Sequence, residues 1–292
     1  MYNIGTIAKN NPAAFVELDK APTEVICHNH IERSHEMILN AMSIAKEGKA
    51  LVLGCGNCAD LPLKELSQKF RFVDLIDMNK TNMSSVQANQ IIFYQADITG
   101  MIRRVRNKLL KSTSFLQKDT DFLDHATNCL ASIKPSFWNG GHKYSIVICP
   151  GLLTQLQANI RKEIERIFLI RFPKCASLLL EYPTWIKGIW QFARQIESSF
   201  IEHIQTLLTP SGIFYLSDTV HVSWLFPLET ESCVMYGKWI ATKTSRLADY
   251  LPGNYHIEKE ARWNWARFEQ EGPYIGRLYD VQAVISTLQQ KS

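Results

Sequence analysis

Long apolar runs are missing from this chain. No stretch among its 292 residues approaches the ~18 consecutive apolar residues of a membrane span. The first thirty residues hold neither a basic leader nor an uninterrupted apolar stretch, so they do not read as a secretory signal. Strong charge of one sign is missing too. A net charge of +4 and a pI near 8.6 fall short of the footprint of a dedicated nucleic-acid binder. Nucleic acid stays possible as a partner but is not favoured. A disulfide framework is absent: the seven cysteines are odd in number and scattered among apolar segments, which suits a reducing, cytoplasmic compartment. Metal-ligand spacing is absent as well. His28 and His30 stand two apart, His142 stands alone, and no second CxxC accompanies Cys55–Cys58, so no metal is expected. There is no internal repeat and no low-complexity segment.

What is present suits one large domain. Hydrophobic residues make up 46% and charged residues 21%, enough for a sizeable core. An N-terminal helical segment, residues 1–48, carries a helical stripe over 24–47 (Val25, Ile31, Met37, Ile38, Met42, Ile44). From residue 49 to 292 the pattern alternates. Ala50–Leu53, Phe72–Ile76, Ile91–Tyr94, Tyr144–Ile148 and Ile213–Leu216 are short apolar runs without alternation, as expected of parallel strands buried on both faces. Helical stretches fall at about Leu61–Phe70, Ser84–Asn89, Leu152–Ile170 and Trp190–Leu208. Residues 255–268 and 277–287 read as a hairpin across the polar turn 269–274. The expected fold is a doubly wound α/β sheet of seven strands, mostly parallel with a C-terminal antiparallel hairpin. Two long insertions, at about 99–142 and 219–250, are expected to be helical and to form a lid.

In open α/β sheets ligands bind beyond the carboxyl ends of the strands, so the residues after each strand carry the information. Gly54-Cys55-Gly56-Asn57 follows the first strand, where glycine permits a tight turn and close approach of a ligand. Asp77 and Met78 follow the second. Asp77 lies 21 residues past Gly56, a distance at which a carboxylate accepts the two hydroxyls of a ribose. Asp97 and Ile98 follow the third, placed to bond and pack against a purine.

Leu51-Val52-Leu53-Gly54-Cys55-Gly56, Asp74-Leu75-Ile76-Asp77-Met78-Asn79 and Tyr94-Gln95-Ala96-Asp97-Ile98 together resemble the class I S-adenosylmethionine-dependent methyltransferases. Leu207–Tyr215 is similar to that family's helix, turn and fifth strand, and the closing hairpin fits as well. The resemblance spans about residues 30–287. It implies that Gly54–Asn57 hold the methionine part of S-adenosylmethionine, Asp77 the ribose, and Asp97 with Ile98 the adenine. Cys149, Pro150 and Gly151 would line the gap between cofactor and acceptor. Two departures stand out. Cys58 occupies the family's third loop glycine, and Cys149-Pro150-Gly151-Leu152 lacks the Asn/Asp-Pro-Pro-aromatic tetrapeptide of many enzymes that methylate amide or exocyclic amino nitrogens.

The implied activity is methyl transfer to an unidentified, small-molecule acceptor; the sequence does not fix the oligomeric state. Two rivals remain: a non-catalytic module of the same fold that binds a protein or RNA, and a nicotinamide-dependent dehydrogenase. Methyl transfer needs orientation first and a general base only for some acceptors. His221, Asp218 and Glu181 are the candidate bases. Cys55–Cys58 is read as loop packing rather than a redox pair. Trp263 and Trp265 share a strand face and are assigned to the core, whereas Trp185 and Trp224 are candidates for an acceptor wall. The basic run Arg103–Lys111 opens the first insertion and is a candidate contact for an anionic acceptor.

Overall fold

A computed structural model describes residues 17–18, 23–79, 90–112, 117–227, 233–240, 246–267 and 276–289. In chain order the elements are β1 (Glu17–Leu18), α1 (Thr23–Ile44), β2 (Lys49–Leu53), α2 (Leu63–Lys69), β3 (Phe72–Asp77) and β4 (Ile91–Gln95), then α3 (Ile102–Ser112) and α4 (Asp119–Ser132). They continue with β5 (Tyr144–Pro150), α5 (Leu153–Arg171), the short α6 (Leu178–Glu181) and α7 (Pro183–Leu207). Last come β6 (Leu208–Pro227), β7 (Cys233–Ile240), a single 3-10 turn at Leu247–Tyr250, β8 (Tyr255–Arg267) and β9 (Gly276–Leu288). The expected helix at Ser84–Asn89 and the turn at 269–274 lie outside the described residues. Among the described residues no helix is long and apolar enough to cross a membrane.

Seven strands form the main sheet, in the order β4-β3-β2-β5-β6-β9-β8. The first five are parallel; β9 runs antiparallel to both β6 and β8. Side chains alternate between two cores, as a strand period of two requires. Leu51, Leu53, Val147, Cys149, Phe214 and Leu216 face α3, α4, α5 and α7. Ala50, Val52, Ile146, Ile148, Ile213 and Tyr215 face the other way, onto Met37, Ile38, Ala41 and Met42 of α1 and Leu66 of α2. The N-terminal helix is thereby a layer of the domain, packed onto the sheet.

The two insertions depart from expectation in different ways. The second, 219–250, was expected to be helical. Instead β6 runs on past the sheet and pairs antiparallel with β7, from His221↔Ile240 to Pro227↔Cys233, and β1 adds to the far side of β7. The run His221-Val222-Ser223-Trp224-Leu225-Phe226 is rich in β-branched and aromatic residues, which favour this extended form. The first insertion is helical but does not form a cover. Val105, Leu109, Phe122, Leu123, Ala126 and Leu130 are at most 1% exposed and belong to the main core. Arg106 on α3 is clamped to Glu163 on α5 at 2.5 Å, and Arg166 reaches the same carboxylate at 2.9 Å. Those two guanidiniums, Arg166 foremost, hold the Glu163 carboxyl down at about 2. The stretch that follows α4 is tied by Ser136 N–H to Thr99 O and Trp138 N–H to Ile98 O.

The helices α3 and α4 are therefore packed crossover elements between β4 and β5. Their backbone amides should be protected from hydrogen exchange in the ligand-free protein by about 10³-fold or more, as core helices are. Rapid exchange across 104–112 and 122–132 before any ligand is added would restore the lid.

Candidate functional site

Parallel strands end on one side of the sheet, and the loops that leave β2, β3, β4 and β5 there enclose a cleft of about 520 Å3. Its walls are Gly54, Cys55, Gly56, Asn57, Asp77, Met78, Asp97, Ile98, Pro150 and Gly151, joined by Asp60 and Trp265. Ten of the eleven residues expected around a cofactor thus converge. Cys149 does not: it is fully buried in the core on the helix side, where burial pushes its thiol well above the ordinary range. Strand alternation sends its side chain inward and leaves Pro150 and Gly151 at the cleft.

The first loop is held against the second strand. Gly54 N–H donates to Ile76 O at 2.8 Å, and Gly56 N–H donates to Asp77 Oδ2 at 2.9 Å. Asp77 Oδ1 accepts Asn79 N–H at 2.8 Å. Each oxygen keeps one further acceptor site, so the carboxylate can still take two hydroxyls. Gly54 and Gly56 have φ of +77° and +53°, and a Cβ at Gly54 would come within 2.9 Å of Leu152. Cys58 also lies in the left-handed region, at φ +62°, where glycine is the unstrained residue. A hydrogen bond from Cys55 lowers the Cys58 thiol pKa, against burial and the charge of Asp77.

Asp97 spends more of its capacity locally. Oδ1 accepts Thr99 N–H and Oγ–H, at 3.0 and 2.7 Å, and Oδ2 accepts Ile102 N–H at 2.9 Å, capping α3. One acceptor site remains on Oδ2. The far wall of the cleft comes from α5: Gln155, Leu156, Asn159 and Lys162. These four escaped sequence reasoning. Their signal was a polar strip at 155, 159 and 162, one helical face beside the apolar stripe Leu153, Leu156, Ile160 and Ile164.

A smaller recess of about 80 Å3 adjoins the cleft and shares Asp60, Pro150, Gly151 and Trp265 with it. His30, Ser34, Ser217, Asp218, Thr219 and Val281 complete its lining. Of the three candidate bases only Asp218 is here, and its carboxylate is engaged. It caps α5, accepting Thr154 N–H at 2.6 Å, Thr154 Oγ–H at 2.8 Å and Thr219 N–H at 2.7 Å. His221 lines neither cavity; its Nδ1 meets Asp280 Oδ2 at 2.9 Å, and Arg262 bonds the same carboxylate. Glu181 ends α6, exposed and away from both cavities.

Other assignments change with them. Trp185 is a core side chain, 1% exposed, not an acceptor wall. The side chain of Trp224 lies outside the described residues. Trp263 is in the core as expected, but Trp265 walls both cavities, stacked on His30 at 4.5 Å and on Tyr279 at 4.9 Å. Arg104, Arg106 and Lys108 reach Lys134 O, Glu163 and Ser132 Oγ, and no residue of the basic run lines the cleft.

The decisive feature of the fold is its strand order, with one reversed strand, β9, inserted between β6 and β8. The fold is the mostly parallel, doubly wound α/β sheet of seven strands with a C-terminal antiparallel pair. No family profile matches the chain, and no curated protein does. Solved structures with which it shares a distant likeness include a precorrin-8w decarboxylase of Methanobacterium thermoautotrophicum (15% identity, 95% of this chain and 94% of that one, TM-score 0.34). A second is an S-adenosylmethionine-dependent methyltransferase of Leishmania major (14%, 89% and 73%, TM-score 0.37). A third is the YcgJ protein of Bacillus subtilis (9%, 89% and 100%, TM-score 0.41). Likenesses at this distance carry nothing about individual residues.

The buried Asp218 gives the site its own pH dependence. Burial pushes its carboxyl up to about 6, outweighing the Thr154 and Thr219 donors. Because the folded-state value lies above the ordinary 3.8, Asp218's contribution to stability is complete below about pH 4 and is lost as pH rises through about 6. Urea unfolding from pH 4 to 7 should show wild type losing on the order of 2–3 kcal/mol relative to Asp218→Asn over that window. Parallel profiles for the two proteins would mean that Asp218 titrates normally.

Proposed function

We propose that this chain binds S-adenosylmethionine in the 520 Å3 cleft and transfers its methyl group to a small-molecule acceptor. One observation carries the reading. The Asp77 carboxylate, at the end of β3, is fixed by Gly56 and Asn79 while keeping two acceptor sites. That is the donor–acceptor balance a ribose diol needs, and the open side of Gly56 leaves backbone for a ligand to approach. Bound there, S-adenosylmethionine would supply an activated methyl on a sulfonium. The chain's own task is then orientation and exclusion of water. Gly54–Asn57 would face the methionine part, Asp77 and Met78 the ribose, and Ile98 and Leu156 the flat surfaces of the adenine. The remaining acceptor site on Asp97 would take an adenine N–H. Pro150 and Gly151 stand between cleft and recess, where methyl and acceptor would meet.

A dinucleotide-binding sheet lacks the reversed strand that β9 contributes here, which disfavours the dehydrogenase. A non-catalytic module would bind the cofactor without turnover. Calorimetry on the purified protein should detect S-adenosylmethionine binding. Asp77→Ala should weaken it by on the order of 1.5–3 kcal/mol per charged hydrogen bond lost, roughly 10- to 100-fold for one. Unchanged affinity in a folded Asp77→Ala protein would remove Asp77 from the site, and no binding in wild type would sink the cofactor itself.

A further inference from the structure

On sequence alone Cys55-Gly56-Asn57-Cys58 reads as loop packing; folded, it has the geometry of a dithiol pair. Cys58 N–H donates to Cys55 O at 2.8 Å, closing a four-residue β-turn with one cysteine at each end. A β-turn holds its end Cα atoms within about 7 Å, and a disulfide spans about 4.4–6.8 Å between Cα atoms. The side chains meet as well. The Cys55 and Cys58 thiols are hydrogen-bonded to each other, and both are reduced.

The backbone of this turn is an unusual place for a second side chain. Cys58 has φ +62°, and among the described residues only Ser211 shares the positive-φ region without being glycine. Glycine would sit there unstrained, so keeping a thiol at this point strains the chain locally. The two thiols are not equivalent. Cys55 is 5% exposed and lines the cleft, whereas Cys58 is half-buried and within reach of solvent. The hydrogen bond from Cys55 favours a thiolate at Cys58 and lowers its pKa, against burial and the charge of Asp77. Cys58 is therefore the attacking sulfur and Cys55 the resolving one.

We propose that Cys55 and Cys58 form a reversible disulfide by exchange with a low-molecular-weight disulfide, and that this bond switches the cleft loop. The Cys58 thiolate attacks one sulfur of the small disulfide, forms a mixed disulfide and releases the other half as a thiolate. Cys55 gives its proton to that thiolate and attacks Cys58 Sγ. The Cys55–Cys58 bond forms, and the second half leaves and takes a proton from water. Two protein thiols become one disulfide, and the small disulfide becomes two thiols. To bond, the two sulfurs must close to about 2.05 Å. Between them in the chain lies Gly56, whose N–H holds Asp77 Oδ2 at 2.9 Å. Drawing the turn in pulls that N–H off Asp77. On the S-adenosylmethionine reading above, the oxidised form then binds cofactor less tightly.

The test equilibrates the whole protein in glutathione buffers of rising disulfide content, then alkylates free thiols and maps the peptides. A peptide linking Cys55 to Cys58 should appear, and should vanish when glutathione is restored. Cys58→Gly, which suits the local φ, should lose the linkage, and Cys55→Ser should carry glutathione on Cys58. Alkylation of both thiols after exposure to glutathione disulfide, or no glutathione on Cys58 in Cys55→Ser, overturns the inference. Calorimetry then compares S-adenosylhomocysteine binding to the two forms. The oxidised wild type should bind about tenfold more weakly, and Cys58→Gly should bind equally in both buffers. Equal affinity of reduced and oxidised wild type overturns the switch. A linkage that forms in a protein unable to bind S-adenosylhomocysteine overturns the cofactor reading instead and leaves the disulfide standing.

Discussion

The structure depends on the burial of β2 on both faces. Leu51 and Leu53 lie in one core and Ala50 and Val52 in the other, all four at most 1% exposed. A strand so placed cannot sit at an edge or face water, so helices must cover both sides of the sheet. Parallel neighbours follow, because each crossover helix returns the chain to the same end. All the strand termini that matter therefore open on one side, and the cleft is a product of that constraint rather than an addition to it.

Within that frame the site is assembled by short polar tethers. Gly54 is bonded to the end of β3, Gly56 to Asp77, Ala96 to Asp77 O, and Gly151 to Ser217 O, each between 2.8 and 2.9 Å. They lock the termini of β2 through β6 into one rim. Asp97 and Asp218 do similar work at the starts of α3 and α5, where a carboxylate meets the free N–H groups of a helix and its dipole. The price of Asp218's position is desolvation, visible in its raised pKa.

Two kinds of basic side chain looked alike in the sequence and behave differently in the fold. From the run Arg103–Lys111, Arg104, Arg106 and Lys108 bond Lys134 O, Glu163 and Ser132 Oγ. Lys162, on α5 beside Arg161, is the one basic side chain among the described residues lining the cleft. Clustering along a chain says how a helix surface is charged; it does not say which direction that surface faces.

The sequence by itself determined the five parallel strands and the loops at their ends, and the burial of four of them. Ile91–Tyr94 was expected to be buried on both faces, but β4 is the sheet edge, with Ile92 and Tyr94 exposed. Uninterrupted apolar runs such as Ala50–Leu53 have one stable use in a domain of this size, and Gly54, Gly56 and Asp77 mark where such runs must turn. That local information placed ten residues of the cleft. Tertiary structure decided the rest. Helical periodicity at 102–132 reads identically for a lid and for a packed crossover, and only the buried contacts of Val105, Leu109 and Phe122 distinguish them. The extension of β6 toward β7 depends on a partner strand, which no local pattern supplies. His30 and Trp263 stand 233 residues apart and acquire their meaning only when α1 packs beside β8. Hydrogen-bond direction and tautomer are properties of a pair, and the chain has to close on itself before the pair exists.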